Sequence, residues 1–228
     1  MALILLTPAA VEPVLLADAK VHCRVEPAMV DDDDLITALI IAAREYAETY
    51  THRVFITQQW RQTLDYFPSG SPFTTIDSRP IDGNYELLYR NRTVDSKDLQ
   101  PKDQILLPKP SLLSVESIKS IGLDGIQVTM DPATYDVEVG TLPGRITLGY
   151  LQAWPLTRNQ RNCVTIDFTA GYGADGTFVP GAIKAAIKLL IGHWYENREA
   201  VILSRYSVAE VPLTVDALLA AHQVVEFQ

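Results

Sequence analysis

Apolar residues recur with two different periods along this chain, and the change of period divides it. Between Val179 and Val201 they fall at Ile183, Ala186, Ile187, Leu190, Ile191 and Trp194. This i, i+3, i+4, i+7 spacing predicts an amphipathic helix with one buried face. Pro180 suits its first turn, where a missing N–H leaves no helix bond unmade. A polar cluster from His193 to Glu199 closes it. The same period runs through Leu35, Ile36, Leu39, Ala42, Ala43, Tyr46 and Tyr50, predicting a helix that starts at Asp31–Asp34 and ends near Thr51-His52-Arg53. A shorter helix is expected over Val14–Cys23, carrying Leu15, Leu16, Ala19 and Val21. Residues 1–13 read as an extended apolar arm broken by Pro8 and Pro13.

From Thr57 the period becomes two. Trp60, Gln62, Leu64 and Tyr66 alternate with Gln59, Arg61, Thr63 and Asp65, which predicts a strand ending at Pro68. Residues 69–103 are turn-rich and polar, with a short strand at Tyr85–Tyr89. Further strands are predicted at Ile105–Leu107, Val115–Gly122, Ile126–Met130, Tyr135–Val139, Arg145–Leu148 and Val164–Ala170. Turn chemistry separates them: Pro108, Pro110, Asp124-Gly125, Asp131-Pro132 and Pro143-Gly144. Asp124-Gly125 between two β-rich runs is a hairpin signal. A short helix over Val215–Ala221 and an extended Val224-Val225-Glu226-Phe227 end the chain, behind a polar hinge at Ser204–Glu210. The expected class is α+β, a helical core of three to four helices with an inserted antiparallel β module and an extended C-terminal tail. The boundaries are 1–56 for the N-terminal helical part, 57–178 for the β module, 179–210 for the long helix and hinge, and 211–228 for the tail.

A formal charge of −9 offers little basic surplus for neutralising phosphates, so tight nonspecific DNA binding is not expected. An acidic wall that DNA slides past is compatible with it. Cys23 and Cys163 lie far apart without metal-ligand spacing and read as buried free thiols. The Leu3–Leu6 run is too short for a signal segment and no stretch reaches the length of a membrane span, so the chain reads as soluble and made in a cytosol.

Catalytic chemistry has no clear carrier. His22, His52, His193 and His222 are scattered, and no G-x-S-x-G elbow is present. Asp31, Asp32, Asp33 and Asp34 lack the spaced pattern of a metal loop and suit the positive end of a helix dipole. Gly171-x-Gly173-x-x-Gly176 lacks the Lys-Ser/Thr pair of a phosphate loop and reads as a flexible β-to-helix connector. No catalytic residue, cofactor or metal is expected, and the chain is read as not an enzyme.

Taken in order, several segments resemble phage head-to-tail connector proteins. They are residues 6–25, the Asp-rich start of Leu35-Ile-Thr-Ala-Leu-Ile-Ile-Ala-Ala-Arg-Glu-Tyr-Ala-Glu48, Thr57–Pro68, Tyr135, Pro143-Gly144-Arg145-Ile146, Trp154-Pro155, Phe168-Thr-Ala-Gly-Tyr-Gly173, His193–Val201 and Val211–Leu219. The departure is at about 69–103, where the turn-rich segment is longer than the family pattern. The resemblance is to the subclass with a β domain inserted between helices, as in siphophages and gene transfer agents.

It implies a homo-oligomeric ring, typically of twelve copies, beneath the portal protein. Such a ring extends the DNA channel and receives a stopper or tail-terminator protein, with DNA passing through the lumen without sequence-specific binding and with no membrane partner. The location implied is the head–tail junction of the virion, after assembly in the host cytoplasm. Tyr195, Glu196, Asn197, Arg198 and Glu199 are the expected subunit interface. Leu213, Val215, Leu218, Leu219, Val224, Val225 and Phe227 are expected to bind the portal, the alternative being a tail folded back on its own subunit. A rival reading from another class is a small-ligand-binding or hydrolytic module using the β domain.

Overall fold

A computed structural model describes the protein over residues 2–68, 80–81, 84–85, 104–198 and 213–224. Four helices build its first core: α1 (Leu16–His22), α2 (Asp33–Thr51), α3 (Gly181–Glu196) and α4 (Leu213–Ala220). Ile36, Ile40, Ala43 and Ala47 of α2 are buried against Ile183, Ala186, Ile187, Leu190 and Ile191 of α3. The alanines leave room for the two backbones to approach, while each buried Ile or Leu contributes about 1.5–3 kcal/mol of transfer free energy. The α3 face is the one its period predicts. On α2 the buried face is rotated from the predicted one: Leu35 and Leu39 are half-buried and Ala42 is exposed. Tyr46 and Trp194 meet edge to face at 6.2 Å between ring centroids.

Helix α2 ends where His52 turns left-handed, with φ 56°. Helix α3 stops at Glu196, short of the predicted Val201, because Asn197 leaves helical backbone while its Nδ2 donates to the His193 carbonyl at 2.8 Å. Residues 199–201 and the predicted hinge at Ser204–Glu210 lie outside the described residues.

The strands among the described residues are β1 (Ala2–Thr7), β2 (Gln58–Leu64), β3 (Pro80–Ile81), β4 (Asn84–Tyr85), β5 (Ile105–Leu107), β6 (Leu112–Ile121), β7 (Gln127–Thr129), β8 (Tyr135–Glu138), β9 (Gly144–Leu148) and β10 (Val164–Ala170). The predicted strand at Tyr85–Tyr89 meets β4 only at Tyr85; its remainder is outside the described residues. One sheet runs β1-β2-β10-β6-β7 and a second β5-β9-β8, all pairs antiparallel; β3 and β4 pair separately. The two larger sheets share a core, with Ile118, Ile166 and Phe168 of the first packed with Ile105, Leu107 and Ile146 of the second. Strand β1 is the N-terminal arm of the sequence reading: it joins the sheet by pairing Ala2–Leu5 with Thr63–Trp60, then bulges at Leu6 before Thr7 meets Gln59. On the opposite face of this sheet, Arg61 holds Asp167 in a bidentate pair at 2.6 and 2.9 Å.

Helical and β cores meet at three consecutive residues. Val54 is buried in the β core, while Phe55 and Ile56 are buried in the helical core. Their backbone is bonded on both sides: Val54 N–H to the Pro110 carbonyl at 3.3 Å, Phe55 N–H to Glu48 Oε1 at 2.9 Å, and Tyr172 N–H to the Phe55 carbonyl at 3.1 Å. The glycine segment after β10 closes this seam. Gly171 has φ 143°, and a Cβ there would lie 2.7 Å from Thr57 N. Its N–H is bonded to the Ser111 carbonyl at 2.9 Å, so the segment read as a flexible connector is a packed and bonded one.

Candidate assembly surface

The Tyr195–Glu199 cluster, expected to face a neighbouring subunit, is partly engaged within its own. Asp32, just ahead of α2, accepts hydrogen bonds from Tyr195 Oη at 2.5 Å and Arg198 Nη2 at 3.0 Å. The Arg198 guanidinium lies 4.7 Å from the Tyr195 ring centroid, and its Nε donates to the Tyr195 carbonyl at 3.3 Å. The Tyr195 hydrogen bond, with that of Arg198, holds the Asp32 carboxyl below the usual carboxylate range. The same bond to Asp32 pushes the Tyr195 phenol up. Asn197 caps α3, Glu196 and Arg198 remain exposed, and Glu199 lies outside the described residues.

The aspartate quartet is divided between these tasks. Asp32 ties α3 to α2, Asp33 pairs with the buried Lys20 of α1 at 2.5 Å, and Asp31 and Asp34 are exposed. At the other end of α2 sits a partnership the sequence reading did not contain. Arg44 is buried and bridges Glu12 and Glu48, each at 2.8 Å. Burial pushes the Glu48 carboxyl up, against the opposing pull of the Phe55 N–H and Arg44. Glu48 stands four residues on along α2 and is readable as a helical neighbour, whereas Glu12 is supplied by the tertiary fold, and it is the pair together that buries the Arg.

The tail residues expected to bind a portal are placed as follows. Val215 and Leu219 are fully buried in the helical core, Leu218 packs against it half-buried, and Val224 is buried. Leu213 starts α4; Val225 and Phe227 are outside the described residues. Val224 N–H donates to the Thr51 carbonyl at 3.0 Å, and Arg53 Nε to the His222 carbonyl at 2.6 Å. An eight-residue helix has little stability alone, so packing on α2 and α3 is what holds it. Of the two expected thiols, Cys163 is buried and Cys23 only half-buried.

Exposed apolar side chains collect at both edges of the five-stranded sheet. On β1 these are Ile4, Leu5 and Leu6; beside β7 they are Ile126, Val128 and Leu156. Val128 and Leu156 line a groove of about 340 Å³ with Met130, Asp131, Gln152 and Pro155. A second groove of about 540 Å³ is lined by Asp65, Tyr66 and residues 157–161, including Arg158 and Arg161. The one carboxylate in each accepts a backbone N–H: Asp131 from Ala133 at 3.0 Å, and Asp65 from Asn162 at 2.9 Å.

The match to known proteins falls on this architecture. No curated protein matches the sequence significantly. Solved structures do. A chain from the neck of an empty gene transfer agent particle with C6 symmetry aligns at TM-score 0.71 and 19% identity, covering 100% of this chain and 98% of that one. A chain from the virion of a native gene transfer agent particle gives the same values. One from the neck of a native particle with C12 symmetry aligns at 0.66 and 20% identity, covering 99% and 97%. Along its whole length the chain therefore has the fold of a gene transfer agent neck component, and residues 14–80, which carry α1, α2 and β2, match the family model of phage gp6-like head-tail connector proteins.

Proposed function

We propose that this protein is a structural head-to-tail connector of a tailed phage or phage-like particle, located at the head–tail junction and without catalytic activity. The observation that carries the reading is the full-length likeness to neck chains, joined to the connector family match over α1, α2 and β2. A homo-oligomeric ring, of twelve copies in this proposal, sits under the portal, continues its channel and receives a stopper or tail terminator.

Charge supports a conduit rather than a clamp. Twelve copies at −9 carry about −100 formal charges, which disfavours DNA adhering to the wall. Exposed Glu196 and the outer side of Arg198 face the neighbouring copy in this reading. Val215, Leu219 and Val224 seat the tail on its own subunit, and the residues after Val224 reach the portal. The rival reading, a ligand-binding or hydrolytic β module, rests only on the two grooves, whereas the connector reading has the family and fold matches behind it.

Mass photometry and negative-stain imaging of the purified chain, alone and with a portal ring, test the proposal. Closed rings in either sample are expected. A chain that stays monomeric in both overturns it.

A further inference from the structure

We infer that the end of the five-stranded sheet remote from the helices is a docking surface for a further protein of the particle, one that presents carboxylates between apolar side chains. The inference rests on the connector reading and names the surface that would receive the next component.

Strand pairing locates this end. Gln58, Ala170 and Leu112 form one row across β2, β10 and β6, and Leu64, Val164 and Ser120 form the row at the other limit. The first row adjoins the seam with the helices, where Val224 N–H is bonded to the Thr51 carbonyl and Gly171 N–H to that of Ser111. The second lies a seven-residue strand away, about 20 Å at 3.3 Å per residue. A tail that leaves the subunit after Val224 toward the portal therefore starts at the opposite end from this surface.

Main-chain bonds hold three segments together here. Arg158 N–H donates to the Ile121 carbonyl at 3.1 Å, Ile121 N–H to the Cys163 carbonyl at 2.9 Å, and Asn162 N–H to Asp65 Oδ1 at 2.9 Å. The β6–β7 turn, the residues just past β2 and the segment leading into β10 are thereby fixed side by side. Their apolar side chains are left in solvent: Leu156 is 78% exposed, Tyr66 70%, Leu123 68% and Ile126 61%. Large apolar groups gathered in this way mark an interaction site.

Charge narrows the partner. Residues 139–166 contain no Asp or Glu, in a chain with 28 of them. Arg158 and Arg161 are exposed, and among the described residues neither guanidinium has a carboxylate partner. Asp65 and Asp124, at the same end, each accept a backbone N–H at 2.9 Å, from Asn162 and Ile126. Two cations set beside Tyr66 and Leu156 call for carboxylates interleaved with apolar groups. Arg and Tyr are also among the side chains that carry most binding energy at protein interfaces. DNA would answer the arginines through its phosphates but leave the apolar groups uncovered, so a protein is the favoured occupant.

The test places the photo-crosslinker p-benzoylphenylalanine at Tyr66 or Leu156 of the full chain and assembles it into particles. The expected product joins this chain to a particle protein other than itself or the portal, at a peptide rich in Asp and Glu. Arg158→Glu with Arg161→Glu is expected to leave ring formation, portal binding and melting temperature unchanged while lowering the yield of joined heads and tails at least tenfold. Arg158→Lys with Arg161→Lys should keep most of that yield. Crosslinks to another copy, to portal or to DNA, or none in assembled particles, overturn the docking surface and leave the connector reading standing. So does a charge-reversed double variant that joins heads to tails normally, or one that loses its rings. A wild-type chain that forms no ring with or without portal overturns both.

Discussion

The hydroxyl of Tyr195 lies 2.5 Å from the carboxylate of Asp32, fastening the end of α3 to the start of α2 across 163 positions of sequence. Folding lowers the Asp32 pKa, chiefly through this bond and that of Arg198. A depressed carboxylate contributes stability above its unfolded value, about 3.9, and loses that contribution as pH falls through the folded value. Melting temperatures of wild type and Asp32→Asn should therefore differ at pH 7 and converge as pH is taken below the unfolded value. A gap that persists unchanged at low pH would count against this account.

Glu48 and Arg44 form the buried ionic centre next to the seam. Glu48→Ala leaves the Phe55 N–H without its acceptor and Arg44 with one counter-charge fewer. Breaking one partner of a buried pair costs roughly 3 kcal/mol or more. Urea unfolding should show that loss, and a markedly smaller one for Glu12→Ala, whose carboxylate is more exposed.

Gly171→Ala places a methyl against the Thr57 backbone at a φ that L-residues rarely adopt. The expected loss is about 2–3 kcal/mol, seen as a lower urea midpoint. A neutral result would mean the seam yields more easily than its hydrogen bonds indicate.

Leu219→Ala opens a cavity between α4 and its neighbours and should cost about 3 kcal/mol, since the side chain is fully buried. Truncation after Val211 removes the same packing and should also destabilise the helical core. Truncation after Val224 should not, and portal binding by that shorter chain, measured by co-sedimentation, isolates the part played by the last four residues.

Local signals located most elements. The 3.6 period marks Ile183 to Trp194, and the β-rich run with its bounding turn residues marks Val164–Ala170 at the observed limits. The rotated face of α2 has no distinct local signal, because Leu35, Leu39 and Ala42 satisfy the same period as Ile36, Ile40 and Ala43. Strand β1 has apolar residues on both faces and so carries no alternation to read; only its pairing with β2 makes it a strand. Tyr195 and Arg198 for Asp32, Glu12 for Arg44 and Pro110 for Val54 are remote in sequence, and composition holds no trace of such choices, whereas the Arg44–Glu48 pair follows helical spacing. The tail helix shows a related ambiguity, since an apolar Val215 and Leu219 fit a partner's groove as well as their own subunit's core.

At Val54-Phe55-Ile56 the chain moves from one core to the other within a single turn of backbone, anchored by main-chain bonds on both sides. In the proposed ring, these bonds couple a displacement of the helices to the sheets, so a change in channel width is expected at the contacts between copies rather than at this junction.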